Sequence, residues 1–406
     1  MTERMGVFDL AELAMDVGPN PRHIGALLEL EGPTVDVAQV REVVRARLGL
    51  VPRLSQHVCR QPLRAGGPVW RDVRVDLDHH VRARSTSPEA LLGLAAGILS
   101  EPMDPHRPGW TLTVVDLPAE RRSALLWSSH HAMADGPSLL RALLAVVGEE
   151  PAPGASGPVR PAPAVGWPRR LLGLRELGAS TMVRVPPSPL NRPVTAGYVV
   201  RTVEVDLPGV HDGAHRAGAT VNDALLWAWG RALRTRLEAV DLGSVPVVVS
   251  FTVSAQSQRV RNRVGAIRVR VPPPGPSVAT DLRRLATDTR WRKRWTSGSS
   301  WWLVAQVFRL LGGLGLNRRL VDRQRSITSL LTNLHGPHGA PLVLGRRVTR
   351  AVPLVSLVGN VTTMMAALSY GDRMVATVVC SPESAPLVDL LAADLAEGLA
   401  AVVRGA

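Results

Sequence analysis

The stretch GEEPAPGASGPVRPAPAVGWP, residues 148–168, limits the fold of this chain more than any other segment. Proline at this density removes backbone donors and clashes with a helical turn, so the segment is neither a helix interior nor a central strand. It divides 406 residues into two parts, each long enough for its own core. The expected organisation is an N-terminal lobe at 1–147, a crossover linker at 148–180 and a C-terminal lobe at 181–406.

Both parts read as mixed α/β. HIGALLELEG (23–32), VWRDVRVD (69–76), WTLTVVDL (110–117) and SALLWSSHH (123–131) are strand-like. Between them, Val37, Val40, Val43, Val44 and Leu48 recur at helical spacing, and an apolar run after Ser87 stops at a proline. Beyond the linker, YVVRTVEVDL (198–207) is a strand and TVNDALLWAWGRALRTRL (220–237) a helix opened by Thr220 or Asn222. Further strands, a helix with a basic face (ATDLRRLATDTRWRKRW) and a closing apolar helix complete the pattern, with no short-period repeat.

The formal charge of +14 calls for an anionic partner. Lys293 is the only lysine among 48 basic residues, the arginine bias of a GC-rich genome such as an actinobacterial one. A nucleotide-phosphate co-substrate, an acidic carrier protein or an anionic membrane surface fits scattered arginines. No nucleic-acid module is legible, so nucleic acid is not expected as a partner. Cys59 and Cys380 have no metal-type spacing, and the N-terminus lacks the apolar core of a secretory signal, so a cytoplasmic setting is expected. The greasiest stretch, SSWWLVAQVFRLLGGLGL (299–316), is too short and too polar to span a bilayer.

The chemistry concentrates at HHAMADG, residues 130–136, after the apolar strand SALLWS. Histidines at a strand end are often packed core residues. A metal site would need three or four ligands, and His130, His131 and Asp135 lack a completing cluster. Adjacent residues on an extended segment face opposite ways. One histidine can therefore enter a cavity while the other packs. Asp135, Gly136 and Pro137 suit a tight turn into a helix that would hold an imidazole as general base. No G-x-S-x-G motif accompanies it, which favours direct attack by an activated acceptor over a covalent intermediate.

HHAMADG resembles the HHxxxDG signature of the CoA-dependent acyltransferase superfamily, which includes chloramphenicol acetyltransferase, peptide-synthetase condensation domains and bacterial wax ester synthase/diacylglycerol acyltransferases. The flanks point to the last branch. PRHIGALLELEGP (21–33), PVWRDVRVDLDHHVR (68–82), EPMDPHRPGW (101–110), TVNDALLWA (220–228), TNLHGP (332–337) and LSYGDRM (368–374) resemble its segments in its order. The resemblance implies two chloramphenicol-acetyltransferase-like lobes, each a mixed sheet flanked by helices, with an active-site tunnel between them. It implies an O-acyltransferase moving an acyl group from acyl-CoA to an acceptor hydroxyl, with acyl-CoA as co-substrate and no other cofactor or metal. His131 would be the general base and Asp135 a structural residue orienting the turn. Gly136 would leave room for pantetheine or acyl chain. His130, Trp110, Asn222, Asp223, Thr332 and Asn333 would border substrate, His130 chiefly by packing and the Asn222–Asp223 pair with a plain helix cap as the alternative.

Several positions depart from the family pattern. Gly109 replaces a bulky apolar residue, Met364 an asparagine and His335 an apolar residue, and an arginine is missing near 249–254. A divergent member is expected, with an acceptor such as a specialised metabolite's hydroxyl as well as a long-chain alcohol or diacylglycerol. A carrier-protein thioester donor and a catalytically idle acyl-binding homologue are the alternatives. RWRKRWTSGSSWWLVAQVFRLL (290–311) sets four tryptophans beside a basic cluster. That suits peripheral contact with a membrane or lipid droplet. The favoured reading is a core stripe of Leu303, Val307, Leu310 and Leu314.

Overall fold

The computed structural model describes residues 2–61, 67–149, 184–254, 264–296, 299–337, 339 and 342–405. Most of the proline-rich linker lies outside them. In chain order the first part holds β1 (Thr2–Arg4), α1 (Val7–Ala14), β2 (His23–Leu30), α2 (Val37–Arg47), β3 (Gln56–Cys59), β4 (Val69–Asp72), α3 (Leu77–His80), β5 (Val81–Ser85), α4 (Leu91–Ser100), β6 (Trp110–Leu117), β7 (Arg122–His130) and α5 (Gly136–Val147). The second holds β8 (Val199–Asp206), α6 (Leu207–Arg216), α7 (Val221–Glu238), β9 (Val248–Ser254), β10 (Val264–Arg270), α8 (Val278–Thr296), α9 (Ser299–Gly313), α10 (Asn317–Asp322), β11 (Ser329–His335), β12 (Leu342–Val343), β13 (Arg346–Val355), β14 (Thr363–Tyr370), β15 (Arg373–Cys380) and α11 (Ala385–Gly405).

Among the described residues two six-stranded sheets carry the fold, ordered β12-β13-β2-β7-β6-β5 and β10-β9-β11-β14-β15-β8. Every residue of β2 is buried, as befits a strand covered on both faces. At the edge of the second sheet, β8 instead alternates buried and accessible positions. The expected C-terminal lobe does not keep to itself. Residues 342–355 leave the second sheet and join the first, where β13 pairs antiparallel with β2 from Val355↔Ile24 to Val348↔Leu30. Arg350 fastens this crossover by ion pairs to Glu29 on β2 (2.9 Å) and Glu204 on β8 (2.6 Å).

One core cluster fills the first sheet and reaches Val375 and Val379 on β15. A second lies between the other sheet and helices α6, α7, α8 and α11. Helix α7 begins with a capping box in which the Thr220 hydroxyl and the Asp223 carboxylate each bond the other's backbone.

Helix α9 departs from the expected core stripe. Val307, Leu310 and Leu314 are 42%, 68% and 64% exposed, and the side chain of Leu303 lies outside the described residues. Of the four tryptophans, Trp291 is 59% exposed, and the side chains of Trp295, Trp301 and Trp302 are likewise outside them. Among the described residues no helix is long and apolar enough to cross a membrane.

Candidate active site

A cavity of about 470 Å³ opens where the two sheets face each other. Its second-sheet wall follows from strand alternation: Leu330, Thr332 and Leu334 of β11 point in, flanked by Ser250 and Thr252 of β9, Ala266 and Arg268 of β10, and Met364 and Leu368 of β14. The hydroxyls of Thr252 and Thr332 lie 3.0 Å apart. Facing them are Ile24 and Ala26 of β2 and Pro353 and Val355 of β13, with Phe8, Glu12 and Met15 from the N-terminal segment, and Val307 and Phe308 of α9. The lining is mostly apolar, with few polar groups, the usual make-up of a site for a greasy ligand.

His131 stands in this lining, one residue past the end of β7. Its backbone N–H donates to the Arg22 carbonyl (2.7 Å), which continues the β2–β7 pairing and fixes the turn. The Nδ1 atom is buried and lies 3.9 Å from Glu12 Oε2. Arg22 Nη2 donates to the same Glu12 oxygen (2.7 Å) and Nη1 to the Ser356 hydroxyl (3.4 Å). Burial pushes the His131 pKa below the ordinary histidine value; the Glu12 charge pulls it back up and Arg22 opposes that pull. Burial resists ionisation of Glu12, yet the His131 and Arg22 charges hold its carboxyl below the usual range. At neutral pH this arrangement presents a neutral imidazole beside a charged carboxylate–guanidinium pair, which is the state a general base needs.

The other sequence candidates divide. Thr332 and Gly136 join His131 in the lining. Asp135 takes its structural role as the N-cap of α5, accepting from the Ser138 N–H at 2.9 Å. The space beside Gly136 is already filled: a Cβ there would sit 2.7 Å from the Leu334 side chain, so the glycine admits β11 rather than pantetheine. His130 turns away from the cavity, with Nδ1 accepting from the Ala132 N–H (3.1 Å) and Nε2 3.2 Å from Asp16. Trp110 is fully buried between His80 and Trp127, ring centroids 4.5 and 5.1 Å away, and donates to the Leu54 carbonyl. It is a core residue and is not in the lining of this cavity. Asp223 is buried in its capping box and also accepts from the Thr289 hydroxyl at 2.7 Å. Neither it nor Asn222 lines the cavity, and Asn333 falls on the face of β11 opposite Thr332.

Two carboxylates escaped the sequence reading. Glu12 and Asp16 come from the first helix and the residues just after it, and each reaches a different histidine of the motif. The signal was there. Asp9 and Glu12 lie one turn apart and are both buried, which an exposed amphipathic helix would not tolerate. Among the described residues no three His, Cys, Asp or Glu side chains converge as metal ligands.

Two facing sheets with the HHAMADG turn at an apolar cavity fit the class of acyltransferases whose signature the motif resembles. The similarities to known proteins carry this further. Residues 5–171 match the wax ester synthase/diacylglycerol acyltransferase catalytic domain and residues 261–402 the C-terminal domain of the same family. A probable diacylglycerol O-acyltransferase from Mycobacterium tuberculosis is 26% identical over 399 residues, covering 86% of this chain and 84% of its own. The wax ester synthase/diacylglycerol acyltransferase from Marinobacter aquaeolei VT8 superposes with a TM-score of 0.71 at 22% identity, covering 98% of both chains. The starter condensation domain of rhizomide synthetase follows at TM-score 0.68 and 13% identity, over 99% of this chain and 95% of its own. The chain belongs to the wax ester synthase/diacylglycerol acyltransferase family and is an ester-forming acyltransferase.

Proposed function

We propose that the protein moves an acyl group from acyl-CoA to an acceptor hydroxyl, with His131 as general base. The carrying observation is that His131, and not His130, lines the cavity, with its Nδ1 atom buried on the side of Glu12. The acceptor O–H gives its proton to Nε2 while its oxygen attacks the thioester carbonyl. The tetrahedral intermediate collapses with cleavage of the carbon–sulfur bond, and the imidazolium returns the proton to the departing thiolate. The products are an ester and free CoA, and no prosthetic group takes part. The mostly apolar lining suits a long acyl chain, and a long-chain alcohol or diacylglycerol is the first acceptor to try. Met364 adds to that apolar wall.

The donor thioester is taken as CoA because the rhizomide condensation domain of the same fold was solved with C8-CoA. A carrier-protein thioester is the second reading, favoured by the condensation domains among its structural neighbours. The two mouths of a tunnel between the lobes would admit donor and acceptor separately. Peripheral attachment to a lipid surface fits the exposed Leu310, Leu314, Leu316 and Leu320, which surround exposed Arg309, Arg318 and Arg319. Val307 and Leu320 are exposed and also line the cavity, so a greasy acceptor could pass from lipid to site directly.

The test is thiol release from acyl-CoAs of increasing length, with hexadecanol, diacylglycerol and small hydroxylated acceptors, product masses being read. Ester formation should fall roughly 10²–10⁴-fold in His131→Ala. Undiminished transfer by that variant would end the proposal. Transfer from carrier-bound but not free thioesters would select the second donor.

A further inference from the structure

We infer that Glu12 is the positioning residue of His131: its carboxylate steadies the ring and offsets the positive charge that appears when Nε2 takes the acceptor's proton. The inference rests on the reading of His131 as base. Its geometry is independent of any ligand. Glu12 is 7% exposed, lines the same cavity, and approaches the imidazole from the Nδ1 side, opposite the reacting edge. At 3.9 Å the two groups are too far apart for a direct hydrogen bond, and they become an ion pair once the ring is protonated. Catalytic contacts of this kind often close up only when substrate is bound.

Arg22 completes the device. Its guanidinium is tied to Glu12 at 2.7 Å and to Ser356 on the neighbouring strand's end, so the carboxylate cannot swing away. Alone, a buried carboxylate beside a neutral histidine would tend to take up a proton. The guanidinium keeps it ionised in the resting protein, ready for the moment the ring becomes cationic. Arg22 also bears a cost for the base, since its charge disfavours the imidazolium. The charged groups facing His131 are thus Glu12 from α1, Arg22 from the loop before β2, and Asp135 from the turn into α5. His130 is engaged with Asp16 instead.

This arrangement makes a prediction of unequal shifts. Removing the Glu12 charge should make the imidazolium harder to form, so the acid limb of the kcat/KM–pH profile moves to lower pH in Glu12→Gln, by about one pH unit. Removing the Arg22 charge lets Glu12 take up a proton, so both charges go together and the limb stays near its original place in Arg22→Met. Glu12→Gln should also lower kcat about tenfold, a fraction of what a general base contributes. Glu12→Asp, which keeps the charge, should hold the limb near its original place. The double variant Glu12→Gln/Arg22→Met, which removes both charges of a buried pair, should return it close to wild type.

The experiment measures these profiles beside a titration of His131 by ¹H–¹³C NMR in the same variants, which reads the ring without turnover. A displacement to lower pH in Glu12→Gln, with little in Arg22→Met, in both readouts supports the inference. No displacement in Glu12→Gln, or an equal one in the double variant, overturns it. Full activity in His131→Ala would overturn the proposed base instead, while the NMR titrations would still report whether Glu12 and Arg22 act on the ring.

Discussion

Position 136 turns on one methyl group. The Leu334 side chain occupies the space a Cβ would need, so Gly136→Ala forces the HHAMADG turn and β11 apart. The expected cost is about 1–3 kcal/mol, seen as a lowered Tm. Leu334→Ala in the same chain should recover most of that loss, because it empties the contested space. If Gly136→Ala melts like the wild type, the contact with Leu334 is not what the glycine is for. Trp110 offers the contrasting case. Trp110→Ala should cost about 3–5 kcal/mol while leaving the KM for donor and acceptor unchanged, since the ring packs on His80 and Trp127. A raised KM in a normally stable variant would return Trp110 to the site. At this scale the alternation of extended backbone predicted that the two histidines face opposite ways, and only the family resemblance pointed to His131 as the one at the cavity. It could not separate Trp110 from the site, because proximity in a motif says nothing about which neighbour covers a side chain.

Strands and helices were legible where periodicity was strong. The capping box of α7, the strand before HHAMADG and the proline-started α5 all form where their residues predict. Apart from the adjacent strands β6 and β7, pairing was not legible, so the register that sends Thr332 into the cavity and Asn333 out of it had no sequence signature. Helix α9 shows the limit of pattern alone. An apolar stripe indicates a face that avoids water, without saying whether protein or lipid covers it. Here the stripe is open, at Leu310 and Leu314 above all. Leu310→Glu/Leu314→Glu should therefore reduce co-sedimentation with vesicles containing anionic phospholipid, and leave turnover of a detergent-dispersed substrate near wild type. Unaltered vesicle binding would remove α9 from any lipid contact.

Across the whole molecule, acid should act through buried histidines other than the proposed base. Burial depresses His23 and His80 to about 4, against 6.5 when free. The unfolded chain then binds protons that the folded chain refuses. Stability present above pH 6.5 is thus lost as pH falls from about 6.5 towards 4. A Tm series across that window should decline, and His80→Gln should flatten part of the decline. A flat series would mean these rings are protonated in the folded state. The proline-rich segment suggested a division of the chain into two parts. That Arg346–Val355 lies beside His23–Leu30 was not, because more than three hundred residues separate the partners and neither carries a mark of the other.

That long-range pairing bears on how the protein is made. A ribosome releases β2 and β7 long before β13 exists. Until then one edge of β2, a strand buried along its whole length in the finished fold, has no strand beside it and can template pairing with another chain. The first sheet is complete only after residue 355, when about seven-eighths of the polypeptide has been synthesised. Nascent chains of this protein thus spend most of their synthesis with an open seam, and truncated messages would yield products that aggregate rather than independent half-proteins.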